Sequence, residues 1–160
     1  MTTMTFPIRR VLRLAAFVPT LALAAACGDD DATEPEPEPT FTRMALTFTP
    51  TGGGQAQTVE ITRASASASG PLTIPATGGT IAAVFLNADG TADQVINGNQ
   101  GEYETRIALV TGSQVTFTRT GPNTFTVSRG SAGTTTALVQ LWHLATNHDD
   151  LEANVTLNVQ

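Results

Sequence analysis

From residue 43 onward, apolar and polar positions alternate with a period of two. Met44, Leu46 and Phe48 alternate with Arg43, Ala45 and Thr47, and Val59 and Ile61 alternate with Thr58, Glu60 and Thr62. The rhythm returns at Tyr103, Thr105, Ile107 and Leu109, at Val115 and Phe117, at Phe125 and Val127, and at Val155, Leu157 and Val159. Successive side chains of an extended strand point to opposite faces, so each run predicts a strand with one face on a core and the other in water. Residues 81–86 and 137–144 are apolar on both parities, which predicts strands with both faces at least partly covered. No segment carries a convincing 3.6-residue period.

Turn signals separate the runs: TGGG at 51–54, ASG at 68–70, NADG at 87–90, NGNQG at 97–101, TGPN at 120–123 and GSAG at 130–133. Gly, Asn and Asp tolerate the positive φ that tight turns require. Seven to nine short strands at this spacing predict an all-β fold, an antiparallel β-sandwich over residues 41–160. The stretches GGTIAAVFLNADG and SQVTFTRTGPNTFTVSRGSAGTTTALV, within residues 71–143, resemble the bacterial immunoglobulin-like domains of cell-surface proteins. In that family a Gly-Gly-Thr opens a strand, an Asp-Gly turn follows and an Ala-Gly-Thr precedes a Thr-rich closing strand. The resemblance implies an immunoglobulin-like sandwich that acts through its surface. The family's usual Trp-Ser pair is replaced here by Ile107-Ala108-Leu109-Val110, and the sole tryptophan, Trp142, falls in a later strand.

The first residues follow a different logic. Arg9, Arg10 and Arg13 precede an apolar run from 14 to 26 that is shorter than the roughly 20 residues a membrane-crossing helix needs. That arrangement predicts a cleaved export signal over residues 1–26. Leu23-Ala24-Ala25-Ala26-Cys27 resembles the lipobox of bacterial lipoproteins, with its leucine one place further out than usual. The resemblance implies that Cys27 is lipidated and becomes the new N-terminus, so the membrane is a partner through the lipid anchor. Cys27 is the only cysteine, which excludes an intramolecular disulfide and a cysteine-based zinc site. Residues 27–40 form an acidic, Pro-rich stretch that cannot bury apolar surface, and they are expected to be a disordered tether. Gly28 after the cysteine resembles lipoproteins sorted to an outer membrane.

Charge narrows the remaining functions. The formal net charge is −6, lysine is absent, and Arg43, Arg63, Arg106, Arg119 and Arg129 are scattered singly, so nucleic-acid binding is not expected. No Gly-x-Ser-x-Gly elbow or phosphate loop is present, and an enzyme is not expected either. Glu102 and Glu104 share one strand face with Arg106, which predicts a salt-bridged surface in place of a catalytic carboxylate pair. Two clusters could take ions. Asn87, Asp89 and Asp93 offer hard oxygen ligands to calcium, against the plainer reading of a turn. Both histidines of the chain, His143 and His148, lie beside Asp149 and Asp150, a donor set suited to zinc or copper. The spacing matches no established zinc pattern, and a polar loop between two strands explains the same residues. Two roles follow: a lipid-anchored, non-catalytic interaction or structural module that binds an envelope protein or a glycan, or a metal-binding protein using the histidine loop. Converging histidines favour the second role, and a contiguous exposed apolar patch favours the first.

Overall fold

The alternating runs become strands of a single mixed sheet. The structure, a computed structural model, describes residues 38–98 and 101–160. The expected signal, Cys27 and the tether up to residue 37 lie outside the described residues. The strands are β1 (Arg43–Pro50), β2 (Gln57–Thr62), β3 (Ser67–Ala68), β4 (Leu72–Ile74), β5 (Gly79–Leu86), β6 (Tyr103–Leu109), β7 (Val115–Gly121), β8 (Thr124–Arg129), β9 (Gly133–His143) and β10 (His148–Val159). A five-residue helix, α1 (Gln94–Gly98), lies between β5 and β6. Their order across the sheet is β6-β9-β10-β3-β2-β1-β5-β8-β7, with β4 also paired to β10.

The all-β reading holds, and two finer expectations are corrected. Pairing is mixed, because β10 runs parallel to β3 at Asn154–Ser67 and parallel to β4 from Leu157–Leu72 to Val159–Ile74. A period of two fixes which face a residue takes but is silent on the direction of the neighbouring strand. The sheet also wraps, barrel-like, in place of two clearly separate antiparallel layers. The Thr105 N–H on β6 donates to the Pro122 carbonyl at 2.9 Å in the β7–β8 turn, and the Thr105 hydroxyl donates to Asn123 Oδ1 at 2.8 Å. The two terminal strands of the path are thus brought together. Strand number exceeds expectation because β3 and β4, two and three residues long, are too short to show alternation.

Inward residues are those of the predicted parity. Met44, Leu46 and Phe48, Val59 and Ile61, Phe125 and Val127, and Val155, Leu157 and Val159 are buried. The runs that are apolar on both parities bury one parity and partly cover most of the other: Ile81, Ala83 and Phe85 are buried, Ala82 and Leu86 are half-covered and Val84 is exposed, and Ala137, Val139 and Leu141 are buried beside half-covered Leu138 and Trp142. The Gly78-Gly79 pair explains the opening of its strand. A Cβ on Gly79 would collide with the Thr49 carbonyl and the Phe48 ring, and Gly78 has φ +65°.

The register also fixes which loops share an end. Arg43 is level with Thr62, Thr62 with Ser67, and Ser67 with Asn154. Since β10 runs in the same direction as β1, its first six residues project past the start of β1. The β9–β10 turn therefore lies at the end where the chain enters the domain. There Phe41 packs edge-on against Phe85 at 5.2 Å, and the Arg63 guanidinium covers the Phe41 ring while donating to the Pro39 carbonyl.

Candidate metal centre

The longest hairpin of the fold carries the histidines at its tip. Leu141 pairs with Leu151, Trp142 with Asp149 and His143 with His148, and the step from 149 to 151 is a β-bulge. Asp150 is the extra residue. Without the bulge, Asp149 would stand opposite His143 and His148 would fall beyond it. One inserted residue thus turns His148 onto the same side as His143 and leaves Asp150 at the kink. The turn closes through Asn147, whose N–H donates to the His143 carbonyl at 2.9 Å with φ +56°, a conformation asparagine tolerates better than most residues.

The resulting geometry is that of a small donor cluster. The imidazole rings lie 5.6 Å apart at 63°. His148 Nε2 is 3.0 Å from Asp150 Oδ1, and His143 Nδ1 is 4.0 Å from Asp150 Oδ2. One ligand atom from each of the three residues can be chosen so that all lie within 4.8 Å of one another. His143 and Asp150 side chains are 15% and 17% exposed, whereas His148 is 52% exposed, so the cluster opens to solvent on the His148 side. Tyr103, opposite His143 on β6, stacks on its ring at 4.5 Å and 23° and fixes the plane of the imidazole. His143 Nε2 is buried without a hydrogen-bond partner. Two imidazoles and a carboxylate form a borderline N,N,O set, suited to zinc or copper ions. Asp149, the fourth residue expected here, faces Trp142 across the hairpin and is not part of this converging group.

The other predicted sites resolve differently. Asp89 Oδ1 accepts from the Thr91 N–H at 2.9 Å and the Thr91 hydroxyl at 2.7 Å; the side-chain bond is the main reason its carboxyl sits below the usual range. Asp93 Oδ1 caps α1 through the Val95 and Ile96 N–H groups, and its Oδ2 accepts from the Thr40 N–H at 2.7 Å. Asn87 Oδ1 accepts from the Thr40 hydroxyl. The oxygens nominated for calcium are thus engaged in a turn, a helix cap and the strap of chain that enters the domain. Glu104 is salt-bridged as expected, to Arg106 at 2.7 Å, and also to Arg119, which sequence separation hid. Partial burial pulls the Glu104 carboxyl up, but hydrogen bonds from Arg106 and Arg119 outweigh it and leave it below the usual glutamate range. Arg106 lies 3.9 Å over the Trp142 ring on the outer face. Among the described residues, no serine hydroxyl is hydrogen-bonded to either imidazole. Among the described residues, the exposed large apolar side chains, Val84, Val110 and Leu144, sit on three different segments.

No protein-family model matches the chain, and comparison with curated proteins gives no match.

Proposed function

We propose that the mature protein is a lipid-anchored envelope protein whose β-domain works by binding and not by catalysis, and that its ligand is a zinc or copper ion held by His143, His148 and Asp150. The observation that carries the reading is the convergence of these three side chains, drawn from both arms of one hairpin, onto ligand atoms within 4.8 Å. Neutral imidazole and carboxylate need no further chemistry to bind such an ion. A bulge that brings the second histidine beside the first, and a tyrosine that fixes the first ring, supply geometry that a solvated loop does not require.

Location rests on the sequence: the basic start, the short apolar run, the lipobox-like Leu23-Ala24-Ala25-Ala26-Cys27 and the acidic tether. Several acyl chains at Cys27, each methylene contributing about 0.8 kcal/mol, would hold the protein at a membrane in effect permanently, with the outer membrane the favoured site. Replacing Cys27 with Ser should release the protein from membrane fractions; retention through the N-terminus would refute the anchor.

The metal reading is tested by calorimetric titration of the full-length chain with zinc and copper ions, repeated on His143→Ala and His148→Ala. Saturable binding to the wild type and its loss in both variants are expected. Binding that is absent, or that survives both substitutions, refutes it. A second reading, docking of an envelope protein or glycan, draws on the resemblance of residues 71–143 to immunoglobulin-like surface domains and on Trp142 under Arg106 on the outer face. Cross-linking in intact envelopes with and without Trp142→Ala tests it. The parallel pairings of β10 depart from the immunoglobulin-like sandwich, so that grouping rests on the turn-and-strand pattern alone.

A further inference from the structure

We infer that the seam between β6 and β7 takes one extended polypeptide strand from an acidic partner protein, which adds to the sheet edge by main-chain hydrogen bonding. The inference goes beyond the metal reading and makes no use of the hairpin tip.

The sheet wraps but does not close along its whole length. β6 and β7 end the strand path, and no ladder joins them. At one end the seam is stitched: the Thr105 N–H donates to the Pro122 carbonyl, and Arg119 reaches across to Glu104 and to the Thr105 carbonyl. That guanidinium stands where the N–H of a neighbouring strand would be. Beyond it the edges are bare. The Thr105 N–H faces the seam and the Val110 N–H faces Thr136 on β9, so by alternation the main-chain groups of Ile107 and Leu109 also face the seam. On β7, the Gly130 N–H donates to the Gln114 carbonyl, which turns Thr116 and Thr118 toward β8 and leaves Val115 and Phe117 facing the seam. Among the described residues, none of these four makes a backbone hydrogen bond across the seam. Edge strands are commonly guarded by lysine, proline, a bulge or brevity. The bulge between Arg119 and Gly121 guards the stitched end, and neither strand contains a lysine or a proline.

Core cover fails along the same line. The apolar inward residues of β1, β5, β8, β9 and β10 are buried, yet Ile107 and Leu109 on β6 and Phe117 on β7 are only half-covered. Val110, beside Leu109, is 53% exposed. Unpaired main-chain groups beside half-covered apolar side chains match one kind of occupant, an extended strand with apolar residues at every second position. Charge says whose strand it is. Residues 105–147 contain Arg106, Arg119 and Arg129 and no acidic residue, in a chain of net charge −6, and Glu104 offsets only part of that local excess. Arg129 is in register with Val115 at the open end of the seam, and Arg119 lies at the stitched end, so a strand seated between them meets positive charge at both ends. Two-fold pairing of these edges between copies of this chain sets arginine against arginine, whereas a strand flanked by carboxylates is attracted.

The test titrates the full-length chain with a synthetic peptide of about seven residues, valine alternating with threonine between terminal aspartates, and follows amide hydrogen exchange. Two comparison peptides carry lysine at the ends or proline at the centre. Saturable one-to-one binding is expected, with slowed exchange at Ile107 and Leu109 or at Val115 and Phe117. The lysine peptide should bind at least about tenfold more weakly, and the proline peptide, which cannot complete the ladder, should not bind. Leu109→Lys, checked for folding by circular dichroism, should lose binding. His143→Ala and His148→Ala should keep it, so this inference and the metal reading fail separately. No binding of the aspartate peptide, or protection elsewhere in the chain, would overturn the seam as a strand site. Equal binding of the proline peptide would overturn main-chain pairing, and equal binding of the lysine peptide would overturn the acidic partner. Association of the free chain with itself that protects these same amides would replace the partner with a second copy.

Discussion

Two acidic loops lie at the same end of the fold, and they use their carboxylates in opposite ways. In residues 87–93, Asp89 and Asp93 accept hydrogen bonds from backbone N–H groups of their own turn, of α1 and of Thr40. In the β9–β10 tip, Asp150 accepts no backbone hydrogen bond that the structure records and faces two imidazoles instead. An aspartate is available to an ion only where the local backbone does not claim it first. A loop that begins a helix offers unpaired N–H groups to any nearby carboxylate, whereas a bulged hairpin satisfies its backbone across the strands and leaves the side chain over.

The widest gap between the loops should appear on replacing Asp93 with Ala. Its side chain is 1% exposed and joins the helix start to the entering chain, so its loss strands several N–H groups. Denaturant unfolding should report a loss of about 2–4 kcal/mol, the sum of a lost cap and an unsatisfied buried donor. Metal binding should be unchanged. A loss of stability near zero would mean that the first loop is no more committed than the second.

Next in size is the effect of the ion. Zinc or copper at a hundred times its dissociation constant should stabilise the wild type by about 2.7 kcal/mol, because it binds the folded chain alone. Calcium should leave the melting temperature where it is. His148→Ala should abolish the response while changing the metal-free midpoint little, since that side chain is half exposed. A calcium response lost on Asp89→Ala would erase the contrast between the loops.

Much of this was legible in the sequence, and the part that was not has a specific cause. Alternation placed Met44, Leu46, Phe48, Val127 and Leu157 inside, and all are buried. It could not place His148, because the parity of every residue before the bulge is reversed, and a bulge leaves no mark in a pattern of apolar and polar letters. That pattern therefore treats Asp149 and Asp150 alike. Asp93 directly before α1 is a readable cap, but a five-residue helix is too short to show a period. Sequence alone leaves Arg119 solitary because its partner Glu104 lies 15 residues away, across the closing gap of the sheet.

That gap supplies a control away from both loops. Glu104 is held below the usual glutamate range in the folded chain, so the stability it contributes is complete above the unfolded value of about 4.3 and is lost as pH falls through the lower folded value. Glu104→Gln should cost about 1 kcal/mol at pH 7, as for a hydrogen-bonded ion pair, and the difference from wild type should shrink below pH 4. A constant difference across that range would assign the effect to packing.

The smallest effect tests whether the turn itself sets the metal geometry. Asn147 holds φ at +56°, immediately before His148. Alanine there meets the steric cost of left-handed backbone, about 1 kcal/mol, whereas glycine does not. Asn147→Gly should therefore keep both stability, to within a few tenths of a kcal/mol, and metal affinity. Asn147→Ala should lower stability by up to about 1 kcal/mol and weaken metal binding a few-fold, because relaxing the turn swings His148 away from His143. If calorimetry finds the alanine and glycine variants equal in metal affinity, the bulge at Asp150 alone orients the second histidine, and the turn only connects the strands.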